Sequence, residues 1–312
     1  MNAIDKNLTD YKAIFEAKAL AVKDMPAAEV TNALEVEIQK ALPFWPSEER
    51  GTPNAVLRSA IFKTGTTRQI LKNETVASLG NFAIKQTGES LNQEDLTVWI
   101  TALHLAVPIP LGQTLIVTGY EFLKTMGLTD CADNYASMEE RLMRLKDTRI
   151  EIIGQGMRYV GNLIDSVSRV KRTDKYRIRF NQEIEVLFGD GQYTNINWNI
   201  RQALVGRPLA MWNHGYFGSH AKPYPITVVK LHEICGSEIK LIKNFKPQLK
   251  KALDHVVRAY EENGQAFSYE IDGDSVRVIH SGTTSQQRHL SRSKKAKRSI
   301  EHMKTVQGSL LN

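Results

Sequence analysis

The chain has 312 residues, enough for two or three compact domains, and 42% of them are hydrophobic, which excludes a wholly disordered protein. Acids at Asp5, Asp10, Glu16 and Asp24 argue against a secretory leader, and no apolar run approaches the ~20 residues of a membrane helix. The formal net charge is +7, and six cations, Arg288, Arg292, Lys294, Lys295, Lys297 and Arg298, lie between Gly282 and Ile300 without an acid. The rest of the chain is close to balanced, so any cationic surface there needs segregation of charge rather than excess.

Residues 1 to about 41 carry a helical pattern broken near Pro26, and "LPFWPSEERGTPN" over 42–54 has the punctuation of a linker. Two stretches, 94 to about 190 and 205 to about 281, then show the same order of signals. In the first, Leu96, Trp99, Ile100 and Leu103 predict an amphipathic helix, and residues 115–117 a short strand. Thr118 with Glu121 and Ser137 with Glu140 have capping-box spacing for two further helices. Alternation over 149–153 and 176–180 predicts two strands joined by a long wing.

In the second stretch Pro208 fits the first turn of a helix running to about His220, and residues 224–226 a short strand. Thr227 and Gly236 bracket a helix. Leu249, Ala252, Leu253, Val256, Val257 and Tyr260 form the strongest helical stripe in the chain, with Pro247 at its start and Gly264 at its end. Phe267, Tyr269 and Ile271, then Val276 and Val278, alternate about Asp272-Gly273 as a β-hairpin. "TGYEFLKTMG" (118–127) and "TVVKLHEICG" (227–236) hold cap threonine and terminal glycine at equal spacing, matching Tyr120 with Val229, Phe122 with Leu231 and Met126 with Cys235.

Helix, strand, helix, helix, hairpin is the order of a winged helix. The expected fold is therefore α+β: an N-terminal helical extension and linker (1–53), two tandem winged-helix domains (54–200 and 201–281) and a basic tail (282–312). A winged helix enters the major groove with the N-terminal end of its later helix. In the second domain that end carries Lys246, Gln248, Lys250 and Lys251, after Lys240, Lys243 and Asn244 in the turn, with His255 and Arg258 further along the same face and Arg277 on the wing. Lysine and arginine suit phosphate or guanine, and asparagine and glutamine suit adenine. A plain solvated face on a structural winged helix fits the same pattern.

The matching helix of the first domain offers Asn134, Ser137, Arg141 and Arg144. The strand "KYRIRF" sets Lys175, Arg177 and Arg179 on one face, to meet phosphate or to pair with another subunit along an edge. Arg292, Lys294, Lys295, Lys297 and Arg298 of the tail fit either phosphate contacts or a solvated end. Cys131 and Cys235 fit small buried core residues, as in a reducing cytoplasm.

Enzyme signatures are poor. The chain has no G-x-x-x-x-G-K-[ST] and no H-E-x-x-H, no cofactor motif, and too few cysteines for a zinc cluster. His214 and His220 are too far apart for paired metal histidines, and Tyr216 and Tyr224 fit core or turn positions. "QGSLL" near the end, with Gln307, Leu310 and Leu311, has the form of a short clamp-binding peptide and equally that of a frayed terminus.

"PNAVLRSAIF", "NQEIEVLFGDGQYTNINW" and "YFGSHAKPYPITVVKLHEICGSE" closely resemble segments of the TrfA-type plasmid replication initiators, in the same order over about 46–264. The resemblance implies a cytoplasmic, non-enzymatic protein with tandem winged helices. It would bind directly repeated sites (iterons) in double-stranded origin DNA, help open an AT-rich region, and recruit the host replicative helicase and sliding clamp. It implies a monomer on DNA and a regulatory homodimer, the main recognition helix from Pro247 onward, and a place for Arg58 just ahead of the first winged helix. The family's clamp-binding glutamine-leucine-serine-leucine-phenylalanine is absent from the corresponding "EIQKALPFWP", which leaves "QGSLL" as the candidate contact. A winged-helix repressor bound to its own operator is the alternative reading of the same residues.

Overall fold

The structure, a computed structural model, describes residues 40–79, 82–170, 172–189, 191–282 and 286. The tail cations and "QGSLL" lie outside the described residues, as does nearly all of the predicted N-terminal helix. Among the described residues no helix is long and apolar enough to cross a membrane.

The supposed linker is part of a core. β1 (Glu49–Pro53) pairs antiparallel with β11 (Tyr193–Asn197), from Glu49 opposite Asn197 to Pro53 opposite Tyr193. Trp45 is only 2% exposed, and its indole N–H donates to Nδ1 of His104 at 2.9 Å. Proline and glycine signal turns from local sequence, whereas the partner strand lies far along the chain, where local signals cannot reach.

After α1 (Asn54–Leu57), the short β2 (Phe62–Lys63) runs parallel to β5 (Leu91–Asn92), which leads into α2 (Gln93–Ala106). Asn92 caps α2 by accepting from the amides of Glu94 and Asp95, and Asp95 returns the bond to the Asn92 amide at 2.8 Å. Leu96, Trp99, Ile100 and Leu103 are all buried, as their spacing predicts.

β6 (Thr114–Thr118), α3 (Gly119–Met126) and α4 (Ala132–Asp147) follow, and the hairpin β9 (Ser166–Val170) and β10 (Lys175–Arg179) completes a sheet of order β6-β10-β9. The predicted wing is corrected. Residues 149–153 do not pair with 176–180; they lie in β7 (Arg149–Gly154), between β4 (Ala83–Glu89) and β8 (Met157–Asn162), in a four-stranded sheet that β3 (Ile70–Val76) completes. Alternation marks a strand but not its partner. β10 is the middle strand of its sheet, so both its edges are taken and it cannot pair with another subunit there. Nor does Ser137 start a helix: α4 begins after Cys131, and Ser137 lies inside it. Cys131 is exposed, against expectation, while Cys235 is buried.

The same order recurs after α5 (Trp198–Ala203). α6 (Pro208–Gly218), β12 (Ile226–Thr227), α7 (Val228–Ile234) and α8 (Ile242–Glu262) precede the hairpin β13 (Phe267–Asp272) and β14 (Ser275–His280), with sheet order β12-β14-β13. The internal match holds residue by residue. Thr118 accepts from the Glu121 amide and Thr227 from the Lys230 amide, each at 3.1 Å. Gly127 and Gly236 end their helices at φ +75° and +61°, where a side chain would be strained. Phe122 and Leu231 are buried, whereas Tyr120 and Val229 are both 52% exposed.

Buried apolar side chains form two clusters, one from Leu42 to Trp198 and one from Ile200 to Val278. Polar contacts join them. Arg201, 1% exposed, donates to the Gln93 carbonyl at 2.8 Å and to Thr97 Oγ1 at 3.0 Å; burial without a carboxylate lowers its pKa to about 9. The Trp212 indole donates to the Ser59 carbonyl at 3.2 Å, and Arg58 donates to Oγ and the carbonyl of Ser219.

Three histidines are held neutral. Burial lowers the pKa of His104 to about 4, that of His214 to about 3 and that of His220 to about 4, from the ordinary 6.5. His104 accepts from Trp45, and His214 lies 3.2 Å from the Tyr260 hydroxyl and 3.3 Å from the Asn197 carbonyl. Since their folded values lie below 6.5, the unfolded chain binds more protons as pH falls from 6.5 towards 4. Their stabilisation is complete above about pH 6.5 and declines below it, by roughly 2 kcal/mol for each at pH 5. Urea midpoints should fall steeply between pH 7 and pH 5; a flat profile over that range contradicts this.

Candidate nucleic-acid interface

α8 is the best-defined surface feature of the second unit. Phe245, Leu249, Leu253, Val256 and Tyr260 bury one side of it among α6, α7 and the hairpin. The helix starts at Ile242 rather than Pro247, so Lys243 and Asn244 belong to its first turn rather than to the preceding loop. Leu241 provides no side-chain cap and the first turn holds no acid. Pro247 lies on the exposed side, so the carbonyl that its missing N–H leaves without a helical partner can be met by solvent.

Lys240, Lys243, Asn244, Gln248, Lys250, Lys251 and Arg258 are exposed, and His255 is half-buried. Lys246 leans onto the hairpin, donating to the Gly273 carbonyl and lying 3.7 Å from Asp274. Arg277 stands exposed on β14, 3.9 Å from Glu270. Asp254, an acid on this face, accepts from the Tyr269 hydroxyl, whose pKa burial and that carboxylate push up. Burial first, then Arg207, Arg258 and Lys251, push the His255 imidazole below its ordinary value. Apart from Lys246, the lysines and arginine of α8 thus face solvent, and Asp254 is turned aside to the hairpin, while Glu261 and Glu262 stand exposed at the far end of the helix.

The first unit is arranged otherwise. Arg144 is buried against Asp95 at 2.7 Å, and Arg141 pairs with Glu94. Asn134 donates to the Thr129 carbonyl at 2.9 Å, and Ser137 is half-buried. Arg144 is therefore a structural cation rather than an exposed contact, a fact that sequence hides because its partner lies on another helix. Arg58 likewise turns inward to Ser219, and burial lowers its pKa. Lys175, Arg177 and Arg179 do project from the exposed face of β10, with Arg179 3.1 Å from Asp165. Across the register they stand beside Thr118, Ile116 and Thr114 on one neighbour and Val170, Ser168 and Ser166 on the other.

Residues passed over in the sequence also border α8. Arg207, at the entry to α6, and residues 64–66 face its Asn244–Gln248–Lys251–His255 flank across a cleft of about 680 Å³. The Arg207-Pro208 step marks a helix start but gives no hint of what the helix end faces.

These features define a duplicated α+β protein whose second copy presents a cationic helix. A family model described as TrfA protein matches residues 10–277. The chain belongs to the TrfA family. It is 30% identical over 226 residues to the plasmid replication initiator protein TrfA of Escherichia coli, an overlap of 68% of this chain and 58% of that one. The chain thus matches little more than half the length of that curated relative. A crystal structure of domains 2 and 3 of RctB superposes with a TM-score of 0.51 at 12% identity, over 73% of this chain and 96% of that one, which speaks to fold alone. A second RctB structure of the same domains gives 0.45 at 11% identity, over 72% and 96%.

Proposed function

We propose that the protein is a plasmid replication initiator that grips duplex DNA with two winged helices, one in each unit, and that α8 is the main recognition helix. The observation that carries this is the cationic outer face of α8, uncapped and free of acid in its first turn, beside a hairpin that bears Arg277. Its width suits a major groove about 12 Å across. The β10 face is the first unit's counterpart, a row of three cations able to lie along phosphates. In this reading the protein has no enzymatic activity and works in the cytoplasm. It binds directly repeated origin sites as a monomer, held in reserve as a homodimer, and brings in the host helicase and sliding clamp, the latter through Gln307, Leu310 and Leu311. The TrfA family membership supports the reading.

A gel shift tests it against the repressor alternative. Direct repeats beside an AT-rich stretch next to the gene should be bound in successive shifted bands, one for each repeat occupied. Binding confined to a single inverted repeat over a promoter would overturn initiation in favour of operator control. Removing residues 307–312 should abolish binding to purified clamp and leave the DNA shifts unchanged; undiminished clamp binding sinks that contact.

A further inference from the structure

The cleft beside α8 is built from both cores. Asn244, Gln248, Lys251 and His255 recur at helical spacing along one flank of the helix and form one wall. Arg207 and Pro208, at the start of α6, form part of the second wall. The third comes from residues 64–66 of the first core, carried across by the strap between β2 and β3.

The strap is fastened where the turn before α8 begins. The Glu238 carboxylate accepts from Lys63 Nζ at 2.9 Å, from Thr67 Oγ1 at 2.9 Å and from the Thr67 amide at 3.2 Å. The Thr64 amide donates to the Cys235 carbonyl at 2.9 Å. A Cβ on Gly65 would lie 2.3 Å from the Glu238 carboxyl carbon, so a side chain there would have to push this carboxylate aside. This acid of the cleft is therefore spent on the strap and does not oppose an anion.

The remaining side chains favour one. Among the described residues, neither Arg207 nor Lys251 forms an ion pair; Arg207 donates to the Ala203 carbonyl at 3.1 Å and is otherwise exposed. Together with Arg258 they crowd positive charge around His255, which Asp254, itself bonded to the Tyr269 hydroxyl, offsets only in part. Thr66 adds an exposed hydroxyl.

We propose that this cleft seats one sugar-phosphate strand of bound duplex DNA, with Arg207 and Lys251 on its phosphates and Thr66 bonding to it from the first core. This rests on α8 being the helix that faces DNA. A helix about 10–12 Å across fills a major groove about 12 Å wide, so the two backbones run directly along its flanks. The hairpin with Lys246 and Arg277 borders one flank, and the cleft borders the other. The grip is then composite: the strap held by Glu238 makes the first core part of the second unit's footprint.

The test uses the full chain and a labelled 40-base-pair mixed-sequence duplex, with affinity followed from 50 to 200 mM KCl. Each lost phosphate contact lowers the slope of log K against log salt by about 0.9. Arg207→Gln should show that loss, Arg207→Lys should restore the slope, and Thr66→Glu should weaken binding at least tenfold. Both positions are exposed, so thermal melting should match the parent protein. Lys250→Gln, on α8 outside the cleft, serves as the reference and should also lose about 0.9. If Lys250→Gln loses slope while Arg207→Gln and Thr66→Glu bind as the parent does, the cleft proposal fails and the DNA-facing helix stands. If Lys250→Gln also leaves the slope unchanged, both fail.

Discussion

Replacing Asp95 by alanine is expected to lower the stability of the first core by about 3–5 kcal/mol, the range for breaking a buried ion pair by removing one partner. Asp95 is fully buried and does three things at once. One carboxylate oxygen lies 2.7 Å from Arg144 on α4; the other lies 2.7 Å from Arg68 and accepts from the Asn92 amide at 2.8 Å. Alanine leaves Arg144, itself buried, with only Glu89 at 3.2 Å and the exposed Glu140, and removes half of the α2 capping box. Asp95→Asn keeps the shape and one acceptor, so its loss should be smaller but still above 1 kcal/mol. Asp147→Ala removes an exposed pair with Lys146 and should cost under about 1 kcal/mol. Urea unfolding followed by tryptophan fluorescence reads this, with Trp45 and Trp99 in the affected core. Equal midpoints for Asp95→Ala and Asp147→Ala would remove Asp95 from its central place.

The contrast between Asp95 and α8 shows what a sequence can disclose. Thr118, Thr227, Gly127 and Gly236 are legible because a cap and its helix lie within four residues, and the internal match follows from them. The apolar stripe of α8 fixes its buried side, and with it the exposure of Lys250 and Lys251. Long-range pairing is not legible. The pairing of β1 with β11 and of β4 with β7 depends on segments far apart in the chain, and β3 is too exposed on both faces to show a clear alternation. Charge is the least legible of all: Arg144 and Lys250 both follow helical periodicity, yet one is sealed against Asp95 and the other faces solvent. Arg207 and Thr66 carry no local signature, since the cleft they border exists only once the cores meet.

Changing Lys243, Lys250 and Lys251 together to alanine is expected to lower the salt slope of duplex binding by close to three, about 0.9 for each lysine. The three stand on the exposed side of α8, and none of them is committed to an ion pair among the described residues. Their alkyl stems leave the buried stripe intact, and alanine is the strongest helix former, so the fold should melt as before. With three phosphate contacts gone, affinity near 0.15 M salt should fall on the order of a hundredfold, and equally for every sequence, because phosphates carry no sequence information. Gln248→Ala should behave in the opposite way. A side chain that reads a base edge costs about 1–3 kcal/mol on the preferred site, little on random duplex, and leaves the salt slope in place. Lys246 is a useful internal contrast, since its ammonium is already bonded to the Gly273 carbonyl, and its removal should change the slope less than that of Lys250. A triple variant that keeps both slope and affinity would show that α8, for all its lysines, is a solvated face, and would move the search for the DNA contact to the β10 surface.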